Sequence, residues 1–204
     1  MLNTERIAAA FALAAQVHES QTRKGSDVPY IAHPMAVAAQ VLAWHGGEDQ
    51  FIAALLHDVV EDGGAQYEAI IRAKFGDDVL AMVLACSDAA PAPGEKKAPW
   101  LERKRAYLKH VEAARQDALL VSAADKWHNL SAILADAKRL GDAVYLRFVK
   151  DEPDPAKKKL LTLWYYRSLA DLYLRRGVPG AADVARLLAL VEAVPPQGEG
   201  AAQD

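Results

Sequence analysis

A single cysteine, Cys86, among 204 residues leaves this chain no intramolecular disulfide and no cluster of thiolates, as suits a reducing compartment. Uncharged apolar runs long enough for a membrane span, about 20 residues, are also missing, because charges or histidines interrupt every candidate. The N-terminus, MLNTERIAAAFALAAQVHE, has an acid and a base ahead of an alanine-rich run instead of the basic region and strongly apolar core of a signal peptide. Nor is there a surplus of positive charge: the formal net charge is -3, which gives no global attraction to nucleic acid or acidic membranes and leaves only local basic patches open. Alternating β-branched clusters are nearly absent, which argues against a sheet. Together these absences predict a soluble cytoplasmic protein without a nucleic-acid or membrane partner, and they leave homo-oligomerisation open.

What remains is helical. Hydrophobic residues make up 52% of the chain, enough for one well-filled domain, and alanine and leucine recur at helical spacing almost throughout. The pattern predicts an all-α bundle of about eight to ten helices, spanning residues 1–194, with PPQGEGAAQD (195–204) as a disordered tail. The first helix is expected from Thr4 to about Glu19. The polar and basic loop SQTRKGSDVPY follows, and a second helix has Pro34 in its first turn and stops at Gly46 and Gly47. A third is expected from Glu48 to Glu61, closed by Gly63 and Gly64. AAPAPGEKKAPW reads as the most flexible loop, and whether residues 89–99 close over a ligand is left open.

The third helix poses a chemical problem. AALLHDVVED (53–62) is a core-like run that ends in His57, Asp58, Glu61 and Asp62, and unpaired burial of such groups costs several kcal/mol by rough estimate. Acids at a helix C-terminus also oppose the helix dipole. A bound cation would offset both. His33, His57, Asp58 and Asp125 are side chains that a divalent ion accepts, and two imidazoles with carboxylates suit Mn²⁺, Fe²⁺ or Zn²⁺. An adjacent His-Asp pair is common by chance, and Asp125 alone could pair with Lys126 or Arg115. Two separate helices, however, place acids inside otherwise apolar segments, where a solvated face is not expected.

TRKGSDVPYIAHP, AALLHDVVED and AADKWHNL stand in the order and approximate spacing seen in the hydrolase domain of the RelA/SpoT homologues, within the HD phosphohydrolase superfamily. The resemblance covers about Thr4 to Ala170 and leaves no room for the synthetase domain of the bifunctional members, so the chain is similar to the stand-alone, MESH-type alarmone hydrolases. It implies Mn²⁺-dependent removal of the 3′-pyrophosphate from the guanine nucleotide alarmones ppGpp and pppGpp, with another divalent cation open. It further implies His33, His57, Asp58 and Asp125 as metal ligands, and Glu61 and Asp62 as the residues that position and deprotonate the attacking water. Arg23 would lie against the guanine, Lys24 would meet base or phosphates, Asn129 would bind ribose or a phosphate oxygen, and Tyr166 would close the nucleoside pocket. An arginine plane over a nucleobase is physically reasonable, whereas an aromatic spaced among Leu163, Leu169 and Tyr173 is more often core. Tyr30 and Pro34 read as structural, and His18 and His128 as neighbours of the ligands.

Departures from the family pattern fall at Ser122-Ala123, Ser131-Ala132 and Gly63. They leave two other readings open: an HD phosphohydrolase acting on another phosphorylated nucleotide such as NADPH, and a non-catalytic nucleotide sensor. The acidic pair Glu61-Asp62 argues against the sensor, which has no need of residues that activate water.

Overall fold

Helical periodicity is realised in nearly every apolar segment. The computed structural model describes residues 2–87 and 98–196 and contains ten α-helices and one 3₁₀ helix, with no strand among the described residues. In order they are α1 (Thr4–Val17), α2 (Ala32–Ala43), α3 (Glu48–Leu56), α4 (Val59–Gly63), α5 (Gln66–Phe75), α6 (Asp77–Cys86), α7 (Trp100–Ala113), α8 (Gln116–Leu140), the 3₁₀ helix Gly141–Arg147, α9 (Pro155–Arg175) and α10 (Ala181–Glu192). Most of the loop expected at residues 89–99, and the tail from 197 on, lie outside the described residues.

Local chemistry explains several boundaries. The Asn3 side chain accepts from the backbone N–H groups of Glu5 and Arg6 at 3.0 and 3.1 Å and so caps α1. α1 ends at Val17, with His18 as its C-cap, slightly before the expected Glu19. Asp154 caps α9 through Ala156 N–H at 2.9 Å, with Pro155 in the first helical position.

The expected third helix is two helices. α3 ends at Leu56, His57 is its C-cap, and Asp58, at φ -98° and ψ -5°, is the N-cap of the five-residue α4. Glu61 and Asp62 therefore belong to a separate short helix and do not close a long one, and the dipole penalty anticipated for them is that of a single turn. Gly63 lies under Tyr67: a Cβ there would come within 2.7 Å of the ring.

Two buried clusters make the interior. One is built from α1, α2, α3, α5 and α6 and includes Ala14, Val37, Leu56 and Val83, while the other unites α7, α9, α10 and the 3₁₀ helix around Tyr107, Tyr145, Leu169 and Tyr173. α8 belongs to both, giving Leu120, Val121 and Ala124 to the first and Leu119, Ala123 and Leu130 to the second. From Ala118 to Lys126 α8 is buried on every side, which makes this stretch central. Trp44 also packs on both clusters and meets Trp127 edge-on, with ring centroids 6.3 Å apart. Polar groups buried in α8 therefore sit at the seam between the two halves.

Candidate functional site

Asp125 lies on α8 at that seam, His33 in the first turn of α2, and His57 and Asp58 at the corner between α3 and α4. His57 Nε2 stands 3.2 Å from His33 Nε2 and 3.0 Å from Asp58 Oδ2. His33 Nε2 is 3.6 Å from Asp58 Oδ2 and 3.1 Å from Asp125 Oδ1, and His57 Nε2 is 3.8 Å from that same Asp125 oxygen. The tightest group is His33, His57 and Asp58, with Asp125 joined to it through the two imidazoles. All four residues proposed from sequence as ligands are thus brought together.

Each ring is oriented from behind. His57 Nδ1 donates to the Ala54 carbonyl at 2.8 Å, which turns Nε2 towards the cluster. His33 Nδ1 shares a hydrogen bond with His128 Nδ1 at 2.8 Å. The Tyr30 hydroxyl donates to Asp58 Oδ2 at 2.6 Å, so Tyr30, read from sequence as structural, in fact holds a site carboxylate. Asp125 receives Asn129 Nδ2 on Oδ1 at 2.5 Å and the Lys126 ammonium on Oδ2. Of the two partners foreseen for Asp125, Lys126 is the one realised; Arg115 instead pairs with Asp78 and Asp117.

Titration behaviour follows from this crowding. Burial opposes a charge on His57, but Asp58 and Asp125 lift it to about 9; at His33 burial wins and the value falls. Burial together with His33 and Arg23 drives His128 down to about 4, which keeps it neutral near pH 7. Burial would raise both carboxylates, yet His57 pulls Asp58 below the usual carboxylate range and Lys126 does the same to Asp125. Without an ion, protons on the imidazoles must hold these acceptors together. A divalent cation replaces them with one centre that both imidazoles and both carboxylates can approach, so the donor set fits Mn²⁺, Fe²⁺ or Zn²⁺.

Glu61 and Asp62 lie on α4, in the turn that follows Asp58; Glu61 is exposed, whereas the Asp62 side chain is one-third exposed. Burial and the Asp58 charge push the Asp62 carboxyl up, and its Oδ2 lies 3.8 Å from His18 Nδ1. His18 is buried, bonds Gln21 Oε1 at 2.9 Å, packs on Tyr30 and leaves its Nε2 without a protein partner.

Arg23 and Lys24 ride on a small hairpin that Thr22 and Pro29 bridge, with Gly25 at φ +80° in its turn. Arg23 crosses to the site: its guanidinium donates to Asn129 Oδ1 at 2.7 Å and lies over the Tyr30 ring, 5.4 Å from the centroid. The Lys24 side chain is exposed, while its backbone carbonyl accepts from Arg147 Nη1 at 3.1 Å. Arg147 also pairs with Asp136 at 2.6 Å and so docks the hairpin on the 3₁₀ helix, an element that sequence periodicity missed. Tyr166 is only 7% exposed and packs edge-on against Tyr165, as its spacing among core residues suggested; Asp125, Arg23 and Arg147 are near enough to its hydroxyl to influence its titration.

Comparison with known proteins points the same way. The family described as HD domain matches residues 10–149. The chain is 41% identical over 121 residues to the guanosine-3′,5′-bis(diphosphate) 3′-pyrophosphohydrolase MESH1 of Xenopus tropicalis, covering 57% of this chain and 63% of that protein. To MESH1 of Homo sapiens it is 36% identical over 121 residues, with the same two shares. To the bifunctional (p)ppGpp synthase/hydrolase SpoT of Escherichia coli it is 33% identical over 135 residues, covering 63% of this chain and 18% of SpoT. The chain therefore spans less than two thirds of the length of these relatives. A solved structure of a metazoan SpoT orthologue that hydrolyses ppGpp superposes with a TM-score of 0.70 over 94% of this chain and 96% of that one; at 23% identity the likeness is one of fold.

Proposed function

The chain belongs to the HD domain family, and on that premise we propose that it is a metal-dependent phosphohydrolase that removes the 3′-pyrophosphate of ppGpp or pppGpp and leaves GDP or GTP. The observation that carries this reading is the convergence of His33, His57, Asp58 and Asp125 from separate elements onto one point, with acids and a basic arm on either side. His33, His57, Asp58 and Asp125 would hold the ion, for which we propose Mn²⁺. When bound, the ion withdraws charge from the phosphoryl oxygens and makes its water more acidic.

The chain's own residues supply the rest. A water oxygen forms the new bond to the phosphorus on the 3′ oxygen, the P–O3′ bond breaks, and the 3′ oxygen leaves with a proton. Glu61 and Asp62 orient that water, take its proton and return it, through solvent, to the departing 3′ oxygen. Arg23 offers a flat cation to the purine once substrate displaces its bond to Asn129; the freed Asn129 Oδ1 can then accept from a ribose hydroxyl, while Nδ2, held by Asp125, has a second hydrogen for a phosphate oxygen. Lys24 lies on the same hairpin, where it would meet phosphate, and Tyr166 forms part of the wall behind.

Incubation with Mn²⁺ and ppGpp, pppGpp or NADPH, followed by product analysis, tests the reading. GDP and pyrophosphate are expected from ppGpp with the wild type and neither with Asp58→Ala. Asp62→Asn should retain the metal and lose turnover. A metal-loaded wild type that releases no pyrophosphate would sink the proposal.

A further inference from the structure

Behind Asp125 lies a charge that the mechanism above does not use. The Lys126 ammonium bonds Asp125 Oδ2, its residue is only 8% exposed, and it sits over the Tyr107 ring, 5.2 Å from the centroid. The phenols of Tyr165 and Tyr173 are close enough to interact with it electrostatically. Ser122, one turn earlier on α8, fixes this cage by bonding the Tyr107 hydroxyl at 3.1 Å and the Tyr173 hydroxyl at 2.7 Å.

A buried ion pair is a poor device for stability, because well-packed apolar side chains usually do as well. Its placement suggests another use. Asp125 divides its oxygens: Oδ1 faces His33 and His57, and Oδ2 is held by Lys126. A divalent ion would balance Asp58 and Asp125, Arg23 and Lys24 balance Glu61 and Asp62, and the lysine leaves the whole assembly positive.

We propose that Lys126 is a positioning and charge-setting residue of the metal centre, which fixes Asp125 for binding through one oxygen and keeps the loaded site net positive towards a polyanionic substrate. The inference rests on the metal-site reading above. Its consequence runs against intuition. Removal of the lysine takes a positive charge away from the ion and leaves Asp125 more basic, so metal affinity rises while turnover falls. Damage to packing alone would lower both.

The test uses Lys126→Met, which keeps much of the packing volume, and Lys126→Gln, which keeps a hydrogen-bond donor but no charge. Affinity of the metal-free protein for Mn²⁺ is read by competition with a chelating dye, and thermal midpoints are taken with and without the ion. Both variants should bind Mn²⁺ about tenfold more tightly, show a larger metal-induced gain in midpoint, and lose about tenfold or more in kcat on ppGpp. Unchanged or weaker affinity in the variant that folds would overturn the proposal, as would a Gln variant with wild-type kcat. Should the wild type prove inactive on ppGpp, the function proposed above fails, and the affinity measurement still decides the role of Lys126.

Discussion

His57 has the shift with the clearest consequence for solution behaviour. Asp58 and Asp125 outweigh burial and raise it from 6.5 to about 9. A folded value above the unfolded one means a stabilising contribution that is complete below about 6.5 and disappears as pH rises through about 9. Asp58 and Asp125 are depressed, so their contributions are present above the ordinary 3.8 and stay constant across that window. The thermal midpoint of metal-free protein should therefore fall between about pH 7 and about pH 9.5, and His57→Gln should flatten the fall; a wild type that holds its midpoint would refute it. At this scale the proposed ligands His57, Asp58 and Asp125 were legible because they interrupt apolar runs, whereas His33 was named through the family resemblance. The roles of Tyr30 and Arg147 were not, since each acquires its role from a partner that only tertiary structure supplies, Asp58 and the Lys24 carbonyl; Lys126 was legible as a partner of Asp125, but its tyrosine cage was not.

Among the elements, the docking of α10 onto α2 depends on one backbone position. Gly180, the N-cap of α10, has φ +80°, and a Cβ there would lie 2.2 Å from the Trp44 ring, whose Nε1 donates to Asp183 in the first turn of α10 at 3.1 Å. Gly180→Ala combines strain with overpacking and should cost about 2–4 kcal/mol, measured by denaturant unfolding; a loss below about 0.5 kcal/mol would show that Trp44 moves freely. The long helices were readable from their periodicity. The break at His57-Asp58 was not, because FIAALLHDVVED keeps its apolar spacing across the corner and carries no glycine or proline before Gly63. The 3₁₀ helix escaped for the opposite reason: GDAVYLR is too short to display a period.

For the molecule as a whole, the proposed ligands come from the first half and from the helix at the seam. His33, His57 and Asp58 belong to elements of the first cluster, and Asp125 to the helix that both clusters share. An ion bound there favours the assembled protein over the unfolded chain, by about 2.7 kcal/mol at a hundredfold excess over its Kd. Addition of Mn²⁺ should thus raise the midpoint of a single unfolding transition and a chelator should reverse the rise; the absence of any shift would count against the site. The all-α class followed from composition and pattern, but the sharing of α8 could not, because a helix segment buried on every side does not announce which neighbours it will have. That sharing has an optical side. Trp44 on one flank and Trp127 on α8 meet at 6.3 Å, near enough for their indole transitions to mix. The pair should give circular dichroism bands of opposite sign that vanish in Trp44→Phe or Trp127→Phe, a built-in signal that the two halves are seated against each other.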